Sequence, residues 1–480
     1  MEAKNAKSNM TSLWFSVEIV IMLVLMAGLL WWAHPWSSAE VFRPGAAGAG
    51  DPYFPLMGNG GYDVQHYDLA LSFDPTDRSI DASVDIAARA TQNLSRFDLD
   101  FRQPLQVKSV TVDGKTATFS RDGVQELVVT PQQGVANKSD FKVKVSYSGR
   151  PQNIYKYGPN GWMETSDGVV AMPQPNGTET FMPNNGIPSD KATYDFAITV
   201  PKGLQVVANG EPNGTTVNGD RATYKWHDGN QTPSELVMLA IGHFDIIDTK
   251  TTDGIRNITA IDPAAVEGPV AAANDEFNQR TGDITAWVQN KFGPYPFTST
   301  GGLQDFGPDI NFSEEMVTRP AYVHGQSTIP STRLVVHELT HQYYGDLVTP
   351  ASWRDVWLNE SFATYAEWMY EGEHGGMTPQ QHFDELYNDP ETDWTNKVGD
   401  PGVNHFFDDL VYQRGAMAIH QLRLAVGEET FSTLLKAWPA EHKNASASVK
   451  DYIAFAQRVS HKDLSKLFNA WLYSEGKPIL

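Results

Sequence analysis

The spacing of the apolar residues changes once along this chain, and that change limits the folds open to it. From Tyr62 to about Asp248 apolar and polar residues alternate in short, turn-rich runs such as Tyr67–Phe73 and Phe141–Tyr147, the pattern of half-buried strands. Asp113-Gly114 within this part is a strong hairpin signal. No long helical period intervenes. We therefore predict an all-β, sandwich-like domain over residues 61–248.

Beyond about Lys250 the period of the apolar residues becomes helical. A long helical run over residues 264–292 is followed by Gly293-Pro294, a signal that ends helices. Residues 303–323 read as an extended segment along a cleft. The remaining helices are predicted at residues 331–346, 359–372, 409–426, 429–438, 449–460 and 463–474. The fold class predicted is α+β multidomain, with the β-domain followed by a mostly helical domain over 249–480.

One of these predicted helices carries an H-E-x-x-H motif, from His337 to His341. Residues at i and i+4 share a helix face, so the two imidazoles can bind one metal ion. Zinc accepts nitrogen and carboxylate ligands and keeps a fourth position for water. Glu338, next to the first histidine, can take a proton from that water. Glu360, on the following helix, can complete a His/His/Glu ligand set.

The motif and its surroundings together resemble the M1 family of zinc aminopeptidases (gluzincins). Eighteen residues separate the second histidine from Glu360, which lies in W-L-N-E-S-F-A, and Gly345-Asp346 follows the motif. The similarity runs from about Gly60 to the C-terminus. Within the family, the chain resembles a short bacterial aminopeptidase N-like member. It implies an N-terminal β-domain and a thermolysin-like catalytic domain. It also implies one zinc ion per chain, and we expect the large C-terminal helical domain of many relatives to be absent.

The resemblance also assigns residues that bind the substrate's free N-terminus. The family's G-x-M-E-N segment corresponds here to Phe312–Pro320, which places Glu315 on the glutamate that binds the ammonium group. The neighbouring Gly, Met and Asn are not matched, and Glu314 adds a second acid, so a solvated acidic pair is the alternative interpretation. Gln174 corresponds to a family Gln or Glu that faces the amine. A loop glutamine bonded to backbone is its alternative role.

Two further side chains have competing interpretations. Tyr412-Gln413-Arg414-Gly415 resembles the family's Y-x-K/R-G segment, whose tyrosine donates a hydrogen bond to the oxyanion of the reaction. A tyrosine on a helix more often belongs to the core or the surface. Glu367 lies seven residues after Glu360 on the same helical face. It is either the partner of a ligand imidazole or a member of a surface ion pair.

Composition excludes several classes of function. The net charge of −22 argues against nucleic acid as a partner, because phosphates need basic side chains. The chain has no cysteine, which excludes disulfides, iron–sulfur centres, thiolate zinc sites and a cysteine nucleophile.

Residues 1–36 form a predicted membrane anchor or export signal. Lys4 and Lys7 precede an apolar run from Ile19 to Trp32, so the positive charges favour a catalytic part outside the cytoplasm. If this segment is an uncleaved anchor, the protein is held in the cell membrane. A cleaved signal peptide, with processing after Ala39, gives a secreted one. Residues 37–60 read as a tether.

The function predicted from these residues is zinc-dependent removal of N-terminal residues from peptides. The substrates would be peptides with a free N-terminus. A zinc endopeptidase on the same scaffold is the first alternative, because the amine-binding motif is altered. A non-catalytic surface protein is the second, although a scaffold has no chemical need for the ligands, the base and the tyrosine together.

Overall fold

The alternation of buried and exposed side chains along Tyr62–Asp74 is typical of a strand with one face on a core. The computed structural model describes residue 22 and residues 41–154, 160–325 and 328–479. The predicted anchor over residues 1–36 lies outside these residues, apart from Met22, and stays a prediction. Among the helices of the described residues, none is both long enough and apolar enough to cross a bilayer.

The first part of the described chain is built almost entirely from strands. In chain order these are β1 (Arg43–Pro44), β2 (Tyr62–Asp74), β3 (Ser79–Ala90), β4 (Leu94–Asp100), β5 (Gln106–Val112), β6 (Lys115–Thr116), β7 (Thr118–Asp122), β8 (Glu126–Thr130), β9 (Asp140–Gly149), β10 (Gly161–Glu164), β11 (Val169–Met172), β12 (Lys191–Pro201), β13 (Gln205–Ala208), β14 (Glu211–Asn218), β15 (Arg221–Pro233) and β16 (Leu239–Gly242). Short 3-10 turns at Thr178–Thr180 and Ser234–Leu236 interrupt them. The predicted β-domain is confirmed.

These strands form three sheets. The largest has eight strands in the order β14-β15-β12-β2-β3-β9-β5-β6, and two four-stranded sheets have the orders β1-β4-β8-β7 and β10-β11-β16-β13. Within the large sheet β12 runs parallel to β2, whereas the other pairs are antiparallel. The predicted hairpin is present, since Val112 pairs with Lys115 across Asp113-Gly114. Both turn residues have positive φ, which glycine tolerates best.

A mixed five-stranded sheet leads from the β-domain to the helices. Its strands are β17 (Asp245–Lys250), β18 (Arg256–Ile261), β19 (Ser299–Phe306), β20 (Asn311–Glu314) and β21 (Ala321–His324), in the order β17-β18-β19-β21-β20. The last three strands confirm the extended segment predicted over 303–323. Because β17 belongs to this sheet, the sheet begins a few residues before the predicted boundary at 248, and that boundary stays a prediction.

The helices follow the predicted order with changed ends. They are α1 (Val270–Phe292), α2 (Thr332–His341), α3 (Trp357–Glu373), α4 (Pro379–Asn388), α5 (Asp409–Val426), α6 (Glu428–Glu441), α7 (Val449–Ser460) and α8 (Ser465–Phe468), which a π-helical turn extends over Asn469–Tyr473. Two 3-10 turns (Pro263–Ala265, Trp353–Asp355) and one pair of two-residue strands, β22 (Thr349–Pro350) and β23 (Ser446–Ala447), complete the list. Helix α4 was not predicted. Helix α1 begins later than predicted because Gly268-Pro269 precedes it.

Aromatic stacking and one close backbone approach hold the helices that carry the predicted site. Tyr344 stacks on Phe362 of α3, with ring centroids 4.3 Å apart. Helices α3 and α5 meet at Gly415, where an added Cβ would lie 1.8 Å from the Ser361 hydroxyl. The Ser361 hydroxyl donates to the Val411 carbonyl at 2.6 Å. Glycine therefore sets the separation that places Tyr412 beside α3.

The buried Lys191 joins the β-domain to the segment after α2. Its ammonium group donates to the carbonyls of Asp346 and Leu347 at 3.0 and 2.9 Å. Burial lowers the pKa of Lys191 to about 8. The contact fixes the turn that follows His341 against β12.

Arg414 has a structural role rather than a place in the site. Its guanidinium is buried, and within the described part of the chain all its hydrogen-bond acceptors are backbone carbonyls. The five acceptors are the carbonyls of Trp394, Asn396, Ala470, Trp471 and Ser474. It therefore anchors the C-terminal segment to α5, the helix that carries Tyr412.

We expect Arg414→Leu to destabilise the protein by about 3 kcal/mol or more, because buried carbonyls would lose charged donors. The variant would show a melting temperature several degrees lower in calorimetry. Arg89→Leu removes an exposed arginine whose nearest carboxylate oxygen is 3.6 Å away and should change the melting temperature little. Equal effects of the two substitutions would contradict the role given to Arg414.

Candidate active site

Two helices bring His337, His341 and Glu360 together. The Ser331 side chain caps α2 by accepting from the Leu334 amide at 3.2 Å. Within α2 the two imidazoles lie one turn apart, with ring centroids separated by 4.8 Å. From α3 the Glu360 Oε2 atom lies 3.4 Å from the Nε2 atom of each histidine. The predicted ligand set is thus assembled in one place.

The other nitrogen of each imidazole is engaged by a buried acceptor. Nδ1 of His337 lies 2.6 Å from Oε1 of Glu367, and Nδ1 of His341 lies 3.0 Å from the Tyr344 carbonyl. An imidazole that donates from Nδ1 has a lone pair on Nε2 when neutral. Both lone pairs therefore face Glu360. Glu367 is the partner of a ligand imidazole, and its Oε2 also forms an ion pair with the exposed Arg333, so both interpretations of Glu367 hold.

The spacing of these three groups fits zinc. Tetrahedral zinc with bonds of about 2.0–2.1 Å holds neighbouring ligand atoms about 3.3–3.4 Å apart. The two Nε2–Oε2 distances are both 3.4 Å. Two imidazoles and one carboxylate also form the donor set of catalytic zinc sites. His337, His341 and Glu360 are accordingly the residues that would hold the ion.

The two carboxylates of this centre have opposite pKa shifts. Burial alone would raise the pKa of Glu360, but His341 and His337 lower it to about 2, so it stays ionised as a ligand must. Burial raises the pKa of Glu338 to about 8, against the opposing effect of the two histidines. A carboxylate with a raised pKa is a better proton acceptor.

The centre opens into a cavity of about 310 Å³. Its walls comprise Gln174, Phe312, Ser313, Glu314, Glu315, His337, Glu338, His341, Glu360, Phe407 and Tyr412. Four of these residues are glutamates, and none of the lining residues that the structure describes is lysine or arginine. The cavity is therefore suited to a cationic group.

Glu315 and Gln174 meet in this cavity. The Gln174 Nε2 atom donates to Oε1 of Glu315 at 2.6 Å, and both side chains are buried. The amide oxygen of Gln174 remains available as an acceptor. Glu314 is buried beside them, where desolvation and then the Glu315 charge raise its pKa well above the usual range. The solvated acidic pair, the alternative interpretation, is thus wrong, as is a backbone-bonded Gln174.

Tyr412 lies beside His337 of the metal group. Its ring is nearly parallel to that of His337, with centroids 6.0 Å apart. Burial, together with the Glu360 and Glu315 carboxylates, raises the pKa of Tyr412 well above the usual range. The phenol therefore keeps its proton and can donate a hydrogen bond.

A second cavity of about 420 Å³ shares four lining residues with the first: Ser313, His337, Glu338 and Tyr412. Arg333 and Glu367 line only the second cavity, whereas Glu315 lines only the first. Of the three metal-group residues, His337 lines both cavities, whereas His341 and Glu360 line only the first.

Sequence reasoning missed Gln342, the residue after the motif. Its amide Nε2 donates to Oδ2 of Asp346 at 2.6 Å and to the carbonyl of Glu315 at 3.1 Å. Its oxygen accepts from the Thr318 amide at 2.9 Å. Gln342 therefore holds the segment of Glu315 against α2. The sequence shows only that Gln342 follows His341. That adjacency does not indicate which residues its side chain contacts. The cavity residue Phe407 was also missed, since it lies on a loop without a motif.

Two family models match this chain. The Peptidase M1 N-terminal domain matches residues 63–236, and the Peptidase family M1 domain matches residues 290–471. The chain belongs to peptidase family M1.

Similar proteins agree with this membership. Probable aminopeptidase 2 of Sulfurisphaera tokodaii is 24% identical over 78% of this chain and 49% of its own length. Aminopeptidase N of Lactobacillus helveticus is 24% identical over 87% of this chain and 51% of its own length. The chain thus spans about half the length of these curated relatives.

Solved structures of M1 proteins cover nearly all of the described fold. An M1 zinc metallopeptidase from Deinococcus radiodurans is 25% identical, with a TM-score of 0.79, over 90% of this chain and 98% of its own. A mutant of a two-domain M1 zinc metallopeptidase, bound to L-arginine, is 25% identical with a TM-score of 0.81, over 90% and 99%. The predicted α+β class and the zinc cofactor are confirmed.

We expect Glu367→Gln to weaken zinc binding about 10–100-fold, because the amide no longer orients His337 as a carboxylate does. Competition with a chromogenic zinc chelator measures this affinity. Glu385→Gln makes the same charge change on the exposed face of α4 and should leave zinc affinity unchanged. Unaltered affinity in Glu367→Gln would show that the contact only packs the two helices.

Proposed function

We propose that this M1 protein is a zinc-dependent aminopeptidase that removes N-terminal residues from peptides. The observation that carries the proposal is the buried pair of Glu315 and Gln174 in the cavity that also contains the zinc ligands. A buried carboxylate there needs a positive partner. The free ammonium group of a peptide supplies one at a fixed distance from the metal.

Zinc bound by His337, His341 and Glu360 would act as a Lewis acid toward the scissile carbonyl and toward water. Glu338 takes the proton of the attacking water, then passes it to the nitrogen of the leaving peptide. Its burial and raised pKa suit both transfers. The phenol of Tyr412 donates a hydrogen bond to the oxyanion that develops on the carbonyl.

Glu315 determines which bond is cut. Its carboxylate and the Gln174 amide oxygen would accept hydrogen bonds from the ammonium group, so one residue fits between that pair and the metal group. The rest of the peptide would then leave through the second cavity, past Arg333. An internal peptide segment has no ammonium group, so it cannot supply the positive partner that the buried Glu315 carboxylate needs.

The relatives support this proposal by their names. Several are aminopeptidases, among them the probable aminopeptidase 2 of S. tokodaii and the aminopeptidase N of L. helveticus. One structural neighbour from D. radiodurans was solved with a Tyr-Ser-Ala substrate. Action outside the cytoplasm remains a prediction from the sequence of residues 1–36.

The deciding experiment compares an aminoacyl arylamide that has a free amine with its N-acetylated form. We expect cleavage of the free-amine compound alone, and loss of that cleavage when zinc is removed with a chelator and restored when zinc is returned. Glu315→Gln should lower kcat/KM for the free amine about 10²-fold or more, since a buried charge partner is removed. Glu385→Gln serves as the matched control.

Cleavage of internal bonds in N-blocked peptides would replace the proposal with an endopeptidase. A zinc-loaded protein that cleaves no peptide would indicate a non-catalytic protein. Glu338→Gln distinguishes an active centre from a contaminating peptidase, because it should lose about 10²–10⁴-fold in kcat while still binding zinc.

We expect Tyr412→Phe to lower kcat about 10²–10³-fold with little change in KM, because the phenolic donor acts on the oxyanion and not on the bound ground state. Steady-state kinetics on the free-amine arylamide separates the two constants. A rise in KM with unchanged kcat would assign Tyr412 to substrate packing.

A further inference from the structure

Three aspartates from separate segments meet away from the zinc ligands. Asp167 lies in the turn between β10 and β11, Asp262 follows β18, and Asp305 belongs to β19. One carboxylate oxygen of each lies within 4.8 Å of the others. Asp262 is 3% exposed and Asp305 is 1% exposed, whereas Asp167 is half-buried. The cluster therefore has deep members and one member near solvent.

Each aspartate has one oxygen with a protein donor. Oδ1 of Asp305 accepts from the Phe306 amide at 2.8 Å, and Oδ1 of Asp262 accepts from the Ala264 amide at 2.8 Å. Oδ2 of Asp167 accepts from the amide and ring of His243, at 3.0 and 2.5 Å. These contacts orient the three carboxylates but use only half of their acceptor capacity.

The second oxygen of each aspartate is buried and accepts no hydrogen bond of normal geometry, although the side chains of Asp262 and Asp305 interact with each other. These atoms are Oδ1 of Asp167, Oδ2 of Asp262 and Oδ2 of Asp305. Among the residues that the structure describes, no lysine or arginine forms an ion pair with any of the three. Buried carboxylate oxygens that lack donors repel one another when ionised, so the cluster favours either a bound cation or a shared proton.

The backbone fixes the cluster before any ligand binds. Strands β18 and β19 pair in parallel register, and the Asp262 amide donates to the Gln304 carbonyl at 2.9 Å. The Ser166 amide donates to the Phe306 carbonyl at 3.2 Å, which ties the β10–β11 turn to β19. A Cβ added to Gly242 would lie 2.9 Å from Oδ1 of Asp167. The positions of the oxygens therefore follow from the sheets.

We propose that Asp167, Asp262 and Asp305 bind a divalent cation of the calcium class at a site separate from the zinc centre. The three ligands all supply oxygen atoms. Hard cations such as calcium prefer sites made only of oxygens, whereas zinc sites usually include nitrogen ligands. Calcium accepts six to eight oxygens in flexible geometry. Water entering beside the half-buried Asp167 completes the set. The bound ion ties the β10–β11 hairpin to the five-stranded sheet.

A shared proton is the competing arrangement. Burial, followed by the charges of Asp262 and Asp167, raises the pKa of Asp305 well above its usual range. A protonated Asp305 would donate to its neighbour and reduce the repulsion without a cation. The two arrangements differ in whether calcium binds.

The test uses the full chain with zinc bound, in buffer freed of calcium by a chelating resin. Titration with CaCl₂ in a calorimeter should show one saturable site, and calcium should raise the melting temperature by several degrees. Asp305→Asn should weaken calcium binding about tenfold or more, since a charged ligand is lost. Asp283→Asn removes an exposed carboxylate of α1 and should retain both effects.

Asp167→Asn provides a second variant if Asp305→Asn does not fold, because Asp167 is half-buried. It too should weaken calcium binding, while the zinc content stays at one ion per chain. Absence of saturable calcium binding in the native protein would overturn the proposal in favour of the shared proton. Equal calcium affinity in native protein and in both cluster variants would assign the binding to the acidic surface and overturn it as well. Neither result depends on peptidase activity.

Discussion

The metal centre depends on two hydrogen bonds that point away from it. Glu367 and the Tyr344 carbonyl accept from the Nδ1 atoms of His337 and His341. The two Nε2 atoms then face Glu360 at equal distances of 3.4 Å. If either acceptor were missing, an imidazole could rotate or change tautomer and the ligand set would be incomplete. Ligand identity alone does not make the site.

The rest of the catalytic part keeps these helices in register. Gly415 permits the close approach of α5 to α3, and Gln342 attaches the segment of Glu315 to α2. Lys191 reaches from the β-domain to the turn after His341. The proposed amine-binding pair, the metal ligands and the tyrosine come from five regions of the chain. The geometry of the site therefore depends on how whole helices and strands pack against one another.

Buried acids have four different environments in this protein. Glu360 is held ionised by histidines, whereas Glu338 has a raised pKa that suits proton transfer. Glu315 is buried with the Gln174 amide as its partner, and its proposed role is to bind the ammonium group of a substrate. The cluster of Asp262 and Asp305 has oxygens that accept no hydrogen bond of normal geometry. In each case the environment, and not the residue type, decides the role.

The sequence by itself determined the helix that holds His337 and His341, the third ligand Glu360 and the order of strands before helices, because helical and strand periods and ligand spacing are local properties. It could not predict α4, Gln342 or the Asp305 cluster. These depend on contacts between residues far apart in the chain, and no local period records them. Glu367 shows the limit clearly: its helical face followed from spacing, whereas its bond to His337 rather than to solvent was decided only when α2 packed against α3.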